Sequence, residues 1–211
     1  MIKLLNADCM NIKLPKCRLL LTDIPYDTIN RSDNGLRNLN KGNADIATFE
    51  INDFLNHIYD AFDICIIFCS REQLGEISHF FNKKNGITRQ IVWCKTNPSP
   101  MNGEYTYLSS IENAIFYKKK NTGKLNCKCK KSYFCYPCGK SKLTPTQKPI
   151  GLFKELILDT TNENDLVIDT CMGSGTTGIA CKELNRDFIG IEIDKNTFDI
   201  ATQHINNSVD K

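Results

Sequence analysis

The segment that most restricts the fold of this chain is Val167-Ile168-Asp169-Thr170-Cys171-Met172-Gly173-Ser174-Gly175-Thr176-Thr177-Gly178. An apolar run stops at an aspartate, three glycines follow at G-x-G-x-x-G spacing, and a helical stretch from Thr176 to Leu184 begins among them. That order predicts a strand, a tight turn and a helix start. Glycines in such a turn let backbone approach a ligand closely. The next apolar run, Phe188 to Ile193, carries Glu192 19 residues after Gly173. There a carboxylate can take both hydroxyls of a ribose, so the pattern points to a nucleotide-type ligand.

The rest of the chain alternates in the same manner. Ile2 to Leu5, Arg18 to Asp23, Ile64 to Cys69, Thr88 to Lys95, Ile111 to Tyr117 and Leu166 to Asp169 are the other predicted strands. Helices are predicted over Glu50 to Phe62, where Ile51, Phe54, Leu55, Ile58, Tyr59 and Phe62 fall at helical spacing, and over Glu72 to Lys84. Pro149 opens another, which runs to about Leu158. Seven strands separated by helices imply an open α/β sheet, doubly wound and covered on both faces. With 211 residues, no repeat and no linker, one domain over residues 1–211 is expected. Residues 27–48, rich in Asn, Asp and Gly, fit no regular element; a loop of that length is expected to be functional.

Composition removes several classes. A 41% apolar fraction with 11 Phe and 7 Tyr supports a packed core. The longest strongly apolar stretch, Ile64 to Cys69, is far short of a membrane span. Asp8, Lys13 and Lys16 interrupt any run a signal peptide would need. Eleven scattered cysteines, an odd number, favour reduced thiols and a cytoplasmic location over a disulfide scaffold. Cys127, Cys129, Cys135 and Cys138 form C-x-C-x5-C-x-x-C, for which free thiols or a zinc site are the readings. Residues 118–142 hold 9 lysines and no acidic residue, so the remainder has 18 basic and 24 acidic residues, a net of −6. An acidic body thus carries one cationic segment, which is either a solvated loop or a polyanion contact.

Thr22-Asp23-Ile24-Pro25-Tyr26 ends an apolar strand in a proline-containing turn, which places a carboxylate, backbone carbonyls and an aromatic ring together. The amine on a nucleobase is a poor nucleophile because its lone pair is delocalised into the ring. Asp23 and the Ile24 carbonyl can each accept one amine N–H, and Tyr26 can stack on an extruded base. The other reading is an aspartate capping the turn, with Tyr26 in the core. For the glycine turn, a dinucleotide needs a second mononucleotide-binding half, whereas 17 residues follow Asp194. The expectation is therefore the smaller cofactor, S-adenosylmethionine, unless the fold is permuted and the other half lies upstream.

Together these segments resemble the DNA amino-methyltransferases that modify adenine N6 or cytosine N4, in their circularly permuted beta group. Thr22 to Tyr26 is similar to the family's Asp-Pro-Pro-Tyr motif, with Ile24 in place of the first proline. Ile91-Val92-Trp93-Cys94-Lys95-Thr96-Asn97-Pro98 is similar to its Trp-x-Lys-x-Asn-Pro strand. Thr144-Pro145-Thr146-Gln147-Lys148-Pro149 resembles its His-Pro-Thr-Gln-Lys-Pro segment. Asp169 to Cys181 resembles its cofactor loop, Gly190 to Asp194 its acidic strand end, and Asn6 to Cys9 its opening Gly-Asp-Cys.

The resemblance implies a Rossmann-like, mostly parallel seven-stranded sheet and S-adenosylmethionine as cofactor, with no metal required. It implies catalytic roles for Asp23, Ile24, Pro25 and Tyr26. Cofactor contacts would come from Asp8, Lys148, Asp169, Gly173, Ser174, Gly175, Thr176, Thr177 and Glu192. Double-stranded DNA is the implied partner, gripped by Arg31, Arg37 and Lys41 of the 27–48 loop and by Lys128, Lys130 and Lys131 of a short basic target-recognition insert at 118–143. Asp rather than Ser at position 23 points to adenine N6; cytosine N4 and a catalytically inactive DNA-binding relative stay open. So do a homodimer and a cognate restriction nuclease as partners. An insert this short implies short or relaxed sequence specificity, because reading several base edges needs more side chains.

Overall fold

The structure is a computed structural model that describes residues 1–26, 50–100, 103–139 and 147–208. The strands are β1 (Ile2–Asn6), β2 (Cys17–Asp23), β3 (Phe62–Cys69), β4 (Gly86–Lys95), β5 (Ile111–Lys119), β6 (Tyr133–Tyr136), β7 (Leu166–Asp169) and β8 (Asp187–Glu192). The helices are α1 (Ile51–Ile58), α2 (Leu74–Asn82), α3 (Ile150–Thr160), α4 (Thr176–Glu183) and α5 (Lys195–Asn207). The strands form one sheet in the order β1-β8-β7-β2-β3-β5-β4-β6, parallel except where β5 pairs with β3 and β4.

Strand side chains alternate between the two faces, and this period of two sorts the core. Leu19, Leu21, Ile64, Ile66 and Phe68 pack with Leu152, Phe153, Ile157, Ile179 and Ile205 of α3, α4 and α5. Their neighbours Leu20, Cys65, Ile67 and Cys69 face the other way, onto Phe54, Leu55, Ile58, Ile77 and Phe81 of α1 and α2. The sheet is therefore covered on both faces, as a doubly wound fold requires.

Among the described residues the expected seven strands are corrected to eight. The addition, β6, lies inside the lysine-rich segment and pairs with the outer edge of β4, Val92 to Tyr133 through Lys95 to Tyr136. Trp93 Nε1 donates to the Tyr136 carbonyl at 2.9 Å and secures the pairing. No helix among the described residues is long and apolar enough to cross a membrane.

The topology sets where a ligand can sit. From β2 the chain proceeds to β3 on one side, and from β7 it proceeds to β8 on the other, with α1 and α4 on opposite faces. The crevice at the carboxyl ends of β2 and β7 is thus a topological switch point, where open α/β sheets bind ligands.

Candidate active site

Asp23 ends β2, and the glycine turn leaves β7 directly beside it. The two strands pair in parallel, Leu19 with Val167 and Leu20 with Ile168, and Thr170 Oγ1 donates to Thr22 Oγ1 at 3.1 Å just below the crevice. The two motifs, nearly 150 residues apart in sequence, share one sheet edge.

In the glycine turn, Gly173 adopts φ +51°, and a Cβ built there would meet nothing within 4 Å, so its outer face is open to a ligand. Gly178 is the opposite case. A Cβ there would lie 2.5 Å from Ile205 Cδ1 and 2.8 Å from Phe188, so this glycine lets α4 pack against β8 and α5. Glu192 is 7% exposed, and both its oxygens hold backbone: Oε2 accepts from Gly173 N at 3.0 Å and Oε1 from Asp194 N at 3.0 Å. Burial pushes its carboxyl above the ordinary value against those bonds. The acidic strand end and the glycine turn are thereby one rigid unit, with a carboxylate beside an open glycine. That combination fits the ribose and backbone-contact requirements of S-adenosylmethionine.

Other predicted residues sit around this unit with more local duties. Asp8 caps a short 3-10 turn, accepting from Met10 N at 2.9 Å, and Ala7 N donates to the Glu192 carbonyl, which brings that turn to the same corner. Cys171 meets Cys9 thiol to thiol. Thr176 and Thr177 are buried, Thr177 Oγ1 donates to Asp169, and the Ser174 carbonyl contacts His204 Nδ1. Asp169, 3% exposed, also accepts from Cys171 N at 3.1 Å, so it shapes the turn from beneath.

Burial raises the Asp169 carboxyl to about 7 despite those hydrogen bonds. A folded-state value above the unfolded one contributes stability that is fully present below the unfolded value and is lost as pH rises through about 7. Asp169→Asn is expected to remove this slope, worth on the order of 4 kcal/mol across the interval. Urea unfolding between pH 4 and pH 8 checks it; an unchanged slope in the variant would assign the pH dependence to other groups.

The Asp23–Tyr26 turn is tied down from two sides. Ile24 replaces a proline of the related motif, so it has a free N–H. That N–H donates to the Phe68 carbonyl at 3.2 Å, extending the β2–β3 ladder by one residue. Ser70-Arg71-Glu72-Gln73 forms a capping box at the start of the α2 region: Gln73 N donates to Ser70 Oγ at 3.2 Å and Ser70 N to Gln73 Oε1 at 2.9 Å. The remaining end of the Gln73 amide, Nε2, donates to the Pro25 carbonyl at 2.8 Å. Gln73 thus ties the Asp23 turn to the start of the α2 region, and its S-x-x-Q spacing with Ser70 is the sequence signal for it.

Around Asp23 lies a buried network of charge. Lys148, 7% exposed, donates to Asp23 Oδ2, and its Nζ is 3.1 Å from Glu112 Oε2 and 3.4 Å from the Tyr26 hydroxyl. Tyr26 donates to Asp23 Oδ1 at 2.9 Å, and Lys95 meets Glu112 Oε1 at 2.8 Å. Burial disfavours the Lys148 ammonium, but the Asp23 and Glu112 charges outweigh it and hold its pKa above the ordinary lysine value. Burial likewise opposes ionisation of Glu112, and Lys148 and Lys95 outweigh it, leaving that carboxyl below its ordinary value. Lys148, for which the resemblance implies a cofactor contact, is ion-paired with Asp23. Glu112 and Lys95 join the site through pairing of β4 with β5, which no sequence spacing announces.

Arg31, Arg37 and Lys41 lie outside the described residues. Lys118 and Lys119 sit at the amino edge of the sheet, where Lys118 pairs with Ile64 at the start of β3. Lys130 is already engaged by Glu155 at 2.7 Å and Asp159 at 2.6 Å. Lys128 and Lys131 are exposed. Cys127, Cys129, Cys135 and Cys138 are free thiols, and no group of three or more metal-ligating side chains converges among the described residues.

A doubly wound sheet with an acidic glycine-turn unit and a carboxylate-carbonyl-tyrosine turn in one crevice defines a nucleotide-cofactor α/β protein with a second, polar site alongside. The DNA methylase family model, N6/N4 Mtase, matches residues 17–203, and the chain belongs to that family of S-adenosylmethionine-dependent enzymes. It is 34% identical over 143 residues to the type II methyltransferase M2.LlaDCHI of Lactococcus lactis subsp. cremoris, covering 57% of this chain and 51% of that protein. With M2.DpnII of Streptococcus pneumoniae it shares 33% identity over 142 residues, 56% of this chain and 51% of that protein. The match thus spans about half the length of these curated relatives. The crystal structure of the M1.HpyAVI–SAM complex superposes with a TM-score of 0.77 at 30% identity, over 97% of this chain and 100% of that one. The PvuII cytosine-N4-specific DNA methyltransferase shares the fold, with a TM-score of 0.75 at 15% identity over 99% of this chain and 88% of that one.

Proposed function

We propose that this chain transfers the methyl group of S-adenosylmethionine to the N6 amine of an adenine extruded from double-stranded DNA. The observation that carries the reading is the position of Asp23, one strand from the glycine turn and at the same height in the sheet. When bound, S-adenosylmethionine supplies an electrophilic sulfonium methyl group. Glu192, with the open face of Gly173 beside it, would hold the cofactor, and Ser174, Gly175, Thr176 and Thr177 would form the turn around it.

The chain's own chemistry is positioning and polarisation. Asp23 Oδ1 accepts one amine N–H and the Ile24 carbonyl the other, which draws the nitrogen lone pair out of conjugation. Tyr26 stacks on the base, and the Gln73 and Phe68 contacts keep the turn from yielding. Direct transfer needs no covalent enzyme intermediate. Phosphate contacts fall to Lys128 and Lys131 and to Arg31, Arg37 and Lys41.

The test is to incubate duplex DNA with the protein and methyl-labelled cofactor, digest to nucleosides and identify the product by mass. N6-methyladenine is the expected product. N4-methylcytosine would move the same mechanism to the other base, and DNA retention without methyl incorporation would make the chain an inactive binding relative.

A further inference from the structure

The Tyr26 hydroxyl occupies two polar partners at once. It gives its proton to Asp23 Oδ1 at 2.9 Å and lies 3.4 Å from the Lys148 ammonium, in the acceptor position. An ammonium has three N–H groups. Lys148 Nζ donates to Asp23 and lies 3.1 Å from Glu112 Oε2, an ion pair without hydrogen-bond geometry, and the Tyr26 hydroxyl at 3.4 Å is its other hydrogen-bond contact among the described residues. Lys148 cannot turn elsewhere for a partner, because it is buried between the rings of Tyr26 and Phe68, 5.4 and 5.5 Å from its Nζ. Asp23 and Lys148 thus present an acceptor and a donor side by side, bridged in the free protein by one hydroxyl.

A nucleobase amine next to an unprotonated ring nitrogen offers the complementary pair on two atoms. Adenine does so with N6 and N1, and cytosine with N4 and N3. On the same edge guanine carries N1–H beside its amine, its acceptor N3 lying on the sugar side of the ring, and thymine carries N3–H and no amine. Enzymes that extrude a base read this edge by hydrogen bonds. We infer that Lys148 reads the ring nitrogen beside the target amine, replacing its contact with the Tyr26 hydroxyl as the base enters. The inference rests on the methyl transfer proposed above and adds a residue that decides which bases are admitted. Glu112 and Lys95 complete the device: two lysines face two carboxylates, so Lys148 stays charged and fixed with one N–H for the base.

The test compares single-turnover transfer to parent duplex with transfer to duplex whose target adenine is 1-deazaadenine, or 3-deazacytosine if cytosine is the methylated base. The wild type should be slowed about ten- to a hundredfold by the analogue, the range for loss of a hydrogen bond to a charged group. Lys148→Met should be slower on parent duplex but treat the two substrates alike within about twofold, which cancels any intrinsic effect of the analogue. Tyr26→Phe, which keeps the ring, should retain the wild-type penalty and guards against a Lys148 variant that does not fold. Equal wild-type rates on both duplexes, or an undiminished penalty in folded Lys148→Met, would overturn the inference while leaving the methyl transfer intact. No transfer to parent duplex by the wild type would remove both.

Discussion

Asp23→Asn is expected to lower the rate of methyl transfer on the order of a thousandfold, the loss typical when a positioned polar group that acts on the reacting atoms is removed. Asparagine keeps the shape of the side chain but presents an amide N–H where a carboxylate oxygen stood. One amine hydrogen then loses its acceptor, and the nitrogen lone pair stays in conjugation with the ring. Cofactor affinity should change little, because Glu192 and the glycine turn are held by their own contacts to Gly173, Asp194 and Asp169. Asp23→Ala should add a stability defect, since it strands the buried Lys148 ammonium with Glu112 as its remaining ionic partner. Single-turnover kinetics with calorimetric cofactor binding separate the two effects. Transfer within tenfold of wild type by Asp23→Asn would remove Asp23 from the chemistry.

Phe81→Ala is expected to be the most destabilising simple truncation, about 3–5 kcal/mol, or roughly 10 °C in Tm for a chain of this size. Phe81 is fully buried on α2 and stacks on Tyr117 with ring centroids 4.5 Å apart, and Phe62 and Phe80 meet it edge-on at 6.3 and 5.3 Å. The neighbours are large rings in close contact, so they close over the lost volume poorly. The cluster centres on Phe62 and Tyr117, at the amino edge of β3, whereas Asp23 ends β2 at the carboxyl edge. Transfer per folded molecule below the variant's Tm should therefore match the wild type. A Tm within 3 °C of wild type, from a thermal scan, would mean the cluster repacks.

The elements that periodicity announces most strongly are the ones the structure keeps with small changes at their ends. The predicted helix over Glu50 to Phe62 is α1 followed by a single 3-10 turn, Tyr59–Ala61, before Phe62 starts β3. β6 was hidden because four residues between lysines and cysteines carry too short a pattern; the unpaired edge of β4 recruits them. α5 was equally quiet, as it buries only Ala201 and Ile205, although Asp194 caps it through a 2.8 Å bond to Thr197 N. The site divides in the same way. Asp23, Gly173 and Glu192 lie in contiguous motifs, each readable within about ten residues. Gln73 and Glu112 act across the fold, and their roles depend on which strand lies beside which.

From residue order alone followed the α/β class, the two-faced burial of the strands, the places of the Asp23 and glycine turns, and the family resemblance. These are local properties, set by side-chain alternation, turn chemistry and spacing within short windows. Only the tertiary structure decided that Ile24 is anchored by its own N–H, that Lys130 is taken up by α3 carboxylates, and that Lys148 belongs to Asp23. Each of these is a contact between segments far apart in the chain. Its strength depends on burial and on the charge brought alongside, and no single stretch of sequence contains both.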